Sequence, residues 1–125
     1  MGHPAVAEPV RSRLTPGEQC LLGDFVDLTL ATFGQAAVAR ILVFGSRARG
    51  ASHPDSDLDV AVIAAGPLPA GTHRRLADLA EEAQLGREGL PHLRPILIAA
   101  GERPAPALLR AMTEEGIELW ATTNA

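Results

Sequence analysis

The chain has no tyrosine, one cysteine, one tryptophan and three phenylalanines in 125 residues, and all eleven of its basic Lys/Arg positions are Arg. Each shortage closes off a class of function. A lone cysteine, Cys20, permits neither an intrachain disulfide framework nor a cysteine-based zinc site. It falls at the start of an expected helix and reads as packing rather than as a nucleophile. Phe25, Phe33, Phe44 and Trp120 are too few for a base-stacking platform. A formal net charge of −4 argues against broad contact with a phosphate backbone, so extensive nucleic-acid binding is not expected. The longest mostly apolar run, 60–70, is too short to span a bilayer and contains Gly66, Pro67 and Pro69. No membrane association is expected. No apolar segment follows a basic start at the N-terminus, which makes a cytoplasmic protein the expectation. The absence of lysine favours bidentate contacts to phosphate or carboxylate. A GC-rich genome produces the same bias and is the weightier cause.

What is present fits one small domain with a single core. Residues 1–15 are rich in Pro, Arg and small side chains without periodicity and read as a flexible N-terminal arm; 16–125 read as one domain. Thr15, Pro16 and Glu18 form a helix start, with Leu21, Phe25, Leu28, Thr32 and Phe33 at helical spacing, so one helix is expected over 16–39. Buried strands are expected over 41–44 and 57–63, the second with Asp57, Asp59, Ala61 and Ile63 on one face and Leu58, Val60 and Val62 on the other. Thr72 is expected to cap a helix with a Leu76, Leu79, Ala80 and Ala83 stripe, ending near Gly86 or Gly89. A strand over 93–98 carries Pro95, which suits a sheet edge or an irregular start. A helix over 107–115, closed by Gly116 at the C′ position, and a strand over 117–120 complete the chain. The order predicts an α/β (α+β) fold: a mixed sheet of about four strands with three main helices.

The stretch 43–60 carries the chemistry. Gly45-Ser46 ends the first strand, and ten residues later come Asp57 and Asp59. Two carboxylates at i and i+2 on a strand point the same way and repel unless a cation lies between them. Hard oxygen ligands suit Mg²⁺ or Mn²⁺ shared with substrate phosphates. Gly45 permits close approach of backbone to a phosphate, Ser46 offers an N–H and a hydroxyl, and Arg47 and Arg49 supply positive charge.

This pattern resembles the signature of the minimal nucleotidyltransferases of the DNA polymerase β superfamily. Gly45-Ser46, ten residues, then Asp57-Leu58-Asp59 follow its wording, as do the flanking residues 47–50 and 56–60. The resemblance implies a nucleotidyltransferase fold with Asp57 and Asp59 as catalytic metal ligands. It implies Mg²⁺ or Mn²⁺ as cofactor and ATP or another nucleoside triphosphate as substrate, its phosphates held by Gly45, Ser46, Arg47 and Arg49. The reaction would transfer a nucleoside monophosphate to an acceptor hydroxyl and release pyrophosphate. Short members of this family resemble antitoxins that silence a HEPN-type toxin by adding AMP, so a protein partner or self-association is expected.

The chain departs from the family on the third strand. A third carboxylate belongs near Arg94 or Pro95, and neither can serve; Glu102, on a later loop, is the substitute within sequence reach. The alternative function is therefore a nucleotide- or partner-binding module with weakened or no turnover. His53 reads as solvated loop, and His3, His73 and His92 have no spacing for a shared metal. Glu81-Glu82, Glu114-Glu115 and Arg74-Arg75 read as solvated helix faces.

Overall fold

The computed structural model describes residues 14–44 and 57–122. The arm to residue 13, the turn over 46–50, His53 and the expected phosphate ligands Gly45, Ser46, Arg47 and Arg49 lie outside the described residues. The elements run α1 (Pro16–Phe33), a 3-10 turn (Gln35–Ala37), β1 (Val38–Phe44), β2 (Leu58–Ala64), α2 (Thr72–Gln84), β3 (Leu93–Ile98), α3 (Pro106–Glu115) and β4 (Ile117–Ala121). The expected four-stranded mixed sheet with three helices is what forms.

A reciprocal cap starts α1. The Glu18 N–H donates to Thr15 Oγ1 at 3.1 Å, and the Thr15 N–H donates back to Glu18 Oε1 at 3.0 Å. Leu14, immediately before the cap, is buried in the core. The helix stops at Phe33, earlier than its periodicity predicts. Gly34 takes φ 89°, a left-handed value open to glycine, and its N–H donates to the Leu30 carbonyl at 2.8 Å. The turn that follows lets β1 begin at Val38 rather than at Ile41. The buried stripe of α1 is Leu21, Leu22, Phe25, Val26 and Thr29, while Thr32 faces solvent. Cys20 also lies outside that stripe, so it is an exposed thiol and not the packing residue expected.

The sheet order is β3-β2-β1-β4. β1 is antiparallel to both β2 and β4, whereas β2 and β3 are parallel and joined through α2. β2 divides as its alternation predicts. Leu58, Val60 and Val62 join the main core with Ile41, Val43, Leu93, the α1 stripe and Leu76, Leu79, Ala80 and Ala83 of α2. On the opposite face Ala61 joins Leu42, Phe44 and Ile98 beneath Leu108, Ala111 and Met112 of α3.

β3 occupies the sheet edge expected from Pro95. The Leu58 N–H donates to the His92 carbonyl at 2.9 Å, and this register turns the amides of Arg94, Ile96 and Ile98 toward β2. Position 95 therefore faces outward, and its missing N–H takes no bond from the ladder. The outward Leu93 N–H is satisfied by Gln84 Oε1 at 2.9 Å.

Two expected caps differ. Gly71, in the left-handed conformation at φ 86°, is the N-cap of α2, and Thr72 lies inside the helix with its hydroxyl donating to the Pro69 carbonyl at 2.6 Å. Gly116 closes α3 at φ −70°, outside the left-handed region expected of a C′ glycine. Glycine is needed there for space: a Cβ would collide with the Met112 carbonyl and lie 3.0 Å from Leu42 Cδ1. Among the described residues, no helix is long and apolar enough to cross a membrane.

Two stability predictions follow from these contacts. Gly116→Ala is expected to destabilise the fold by about 1–3 kcal/mol through overpacking between α3 and β1, read as a lower urea midpoint. The Thr29 hydroxyl is buried without a hydrogen-bond partner among the described residues. Thr29→Val removes that unpaired group while keeping the branched shape, and is expected to raise the unfolding free energy by about 1 kcal/mol in the same assay.

Candidate functional site

The α3-side face of the sheet is built from transverse rows of directly opposed residues, which share a face. Leu42, Ala61 and Ile96 form one apolar row, and Arg40, Ile63 and Ile98 form the next along β2. In the row on the other side of Ala61, Phe44 of β1, Asp59 of β2 and Arg94 of β3 stand abreast. Phe44 is buried and Asp59 is only 18% exposed, so the carboxylate lies largely out of water. Such a group is costly without a counter-charge. Arg94 supplies one: its Nε donates to Asp59 Oδ1 at 2.8 Å, from a side chain that is 57% exposed.

Asp57 precedes β2 by one residue and is half-buried. Were the strand's alternation to extend one residue back, Asp57 and Asp59 would face the same side with Cα atoms about 6–7 Å apart at strand rise. The antiparallel register sets Asp59 opposite Phe44, the last residue of β1. Gly45 and Ser46 follow Phe44 in sequence and lie outside the described residues.

The third strand lies where the sequence places it, and no acid stands in it. Glu102 does not substitute. It lies beyond Ile98, at the opposite end of β3 from Arg94, and its Oε1 accepts the Ala99 N–H at 2.8 Å within its own turn. His73, in α2, and His92, just before β3, are exposed. Among the described residues, no group of three or more His, Cys, Asp or Glu side chains is arranged to hold a metal ion. Two carboxylates on one face suit a single Mg²⁺ or Mn²⁺ whose remaining ligands are phosphate oxygens and water. They do not amount to the donor set of a two-ion site.

The sequence puts the missing acid near Arg94 or Pro95 and does not reveal that the Arg94 side chain binds Asp59. The available signal was Arg94 itself, the one charged side chain in an otherwise apolar strand.

Comparison with known proteins follows the same outline. Residues 28–110 match the model of the nucleotidyltransferase domain family. A Sulfolobus solfataricus structure named as a nucleotidyltransferase is 15% identical, with a TM-score of 0.55 over 95% of this chain and 93% of that one. The toxin–antitoxin MntA–HpeT, solved as a mutant, is 24% identical, with a TM-score of 0.50 over 77% of this chain and 70% of that one. A toxin–antitoxin solved with AMP-PNP is 25% identical at a TM-score of 0.49, over 70% of this chain, which spans 64% of that one. No curated protein matches the chain. The structural likenesses are ones of fold. The family match covers more than half of the sequence, including both strands that meet at Phe44 and Asp59, and by it this chain belongs to the nucleotidyltransferase domain family.

Proposed function

We propose that this protein is a Mg²⁺-dependent nucleotidyltransferase that moves AMP from ATP onto an acceptor hydroxyl of a partner protein in the cytoplasm. The partner we propose is a HEPN-type toxin, silenced by the modification. The observation that carries the reading is the pairing of Phe44 with Asp59. It sets the end of β1, which Gly45-Ser46 follow in sequence, beside the strand that carries Asp59, and this supports the reading of a phosphate-holding turn next to a metal-holding strand. Asp57 and Asp59 would hold one divalent ion, and Gly45, Ser46, Arg47 and Arg49 would hold the triphosphate. The bound ion would offset phosphate charge and polarise the reacting phosphoryl group.

Among the described residues there is one sheet and no second module to bind an acceptor. A partner chain or a second copy would complete that part of the site. MntA–HpeT, which shares this fold, is a toxin–antitoxin, and it indicates the class of partner to test first.

A second reading is favoured by the Arg94–Asp59 ion pair: a module that binds nucleotide and neutralises its partner by contact, without transfer. One assay separates the two. The full chain is incubated with Mg²⁺, ATP labelled at the α-phosphate, and the protein encoded beside it. Transfer of label to the partner is expected, reduced at least about a hundredfold by Asp57→Asn or Asp59→Asn as metal ligands are lost. Nucleotide binding without label transfer selects the second reading. Undiminished transfer by the double Asn variant overturns the assignment of both carboxylates.

A further inference from the structure

We propose that Arg94 stands in for a second divalent cation, so that the site works with one metal ion and one fixed guanidinium. The proposal rests on the metal–nucleotide reading of Asp57 and Asp59 and adds to it the number of ions and the identity of the other positive charge.

The argument begins with the row Phe44, Asp59 and Arg94. Position 94 is directly opposite Asp59 on the parallel neighbour, so its side chain rises on the same face. That neighbouring position is where a third carboxylate would stand if the site were to hold two ions in the usual manner of two-metal phosphoryl transfer. An acid there would add negative charge beside Asp59 and would need a second ion to neutralise it. An arginine there does the reverse.

Charge counting then distinguishes the two arrangements. Three carboxylates with two divalent ions carry a net charge of about plus one at full ionisation. Two carboxylates, one guanidinium and one divalent ion carry the same net charge. The field offered to an incoming triphosphate is thus preserved while one metal ion and one acid are removed together. Exchanging the acid for a neutral residue would not preserve it.

The observed contact leaves room for the remaining ion. Arg94 uses Nε on Asp59 Oδ1 at 2.8 Å. A carboxylate has two oxygens and about four lone-pair sites, so Oδ2 stays open to a metal while Oδ1 is held. Arginine suits this duty better than lysine because its charge does not titrate and its planar fork fixes the carboxylate's orientation. The side chain is 57% exposed, so its outer nitrogens remain within reach of an anion arriving from solvent.

The test counts and weighs Mn²⁺ on the full chain. With α,β-methylene-ATP, which cannot be cleaved at the reacting bond, the wild type is expected to bind one Mn²⁺ per chain. Arg94→Asp is expected to bind two, by isothermal titration or by the loss of the free Mn²⁺ resonance. Arg94→Gln keeps a hydrogen-bond donor beside Asp59 and removes only the charge. It is expected to bind Mn²⁺ about tenfold more tightly than the wild type in the absence of nucleotide, the size expected for removing one unit charge from beside a divalent ion in a water-like medium. Arg94→Lys is expected to stay within about twofold of the wild type, because the charge is retained. Two Mn²⁺ ions on the wild type, or unchanged or weaker Mn²⁺ affinity in Arg94→Gln, overturns the role of Arg94 and leaves the metal–nucleotide reading standing. No Mn²⁺ on the wild type or on any of the three variants overturns both. Arg94→Gln adds no acid to the row, so its titration decides the matter even where Arg94→Asp fails to fold.

Discussion

A largely buried carboxylate on a central strand is costly without positive charge beside it, and the Asp59–Arg94 pair meets that condition here. The pair depends on strand register. Parallel neighbours have no tight turn to fix their alignment, and a slip of one residue would send every side chain of β3 to the wrong face. The apolar half of each strand prevents the slip. Leu58, Val60 and Val62 of β2 and Leu93 of β3 are buried under α1 and α2, with Leu97 packed against them. Burial on one face thus determines which residue meets Asp59 on the other.

β2 accordingly serves two ends with one alternation. Asp59 presents an acid at the strand's start, just after Asp57, and 61 and 63 turn apolar further along, where α3 packs. The candidate site sits on a strand whose reverse face is fully buried, and a site on such a strand is held more firmly than one on a loop. The Thr15–Glu18 cap and Leu14 anchor α1 to the same core from its N-terminal end.

The sequence disclosed these elements unevenly, for physical reasons. The strand over 93–98 and the two faces of β2 were legible because β-alternation and a bounding apolar run are local signals. The end of α1 was misjudged because Gly34 breaks a pattern that would otherwise continue, and a lone glycine does not declare whether it bends a helix or only weakens it. Gly116 was placed at the right position for the wrong reason, since crowding by Met112 and Leu42 is a tertiary fact. The exposure of Cys20 and the capping of α2 by Gly71 were hidden in the same way. Asp57 and Asp59 stood out by their spacing as candidate ligands. Arg94's partner was not, because parallel pairing across α2 brings together residues thirty-five positions apart, and no local pattern encodes that meeting.

Pro95 carries a consequence for assembly. An exposed edge strand ordinarily offers a row of amides to which another strand can add, and many complexes and aggregates form in this way. On the outer side of β3 one amide is absent at Pro95 and the one before it is already taken by Gln84. The sheet therefore cannot readily be lengthened beside Arg94. Whatever approaches Asp57 and Asp59 from that side must be recognised by side chains, and the approach to the carboxylates stays clear of a neighbour's backbone.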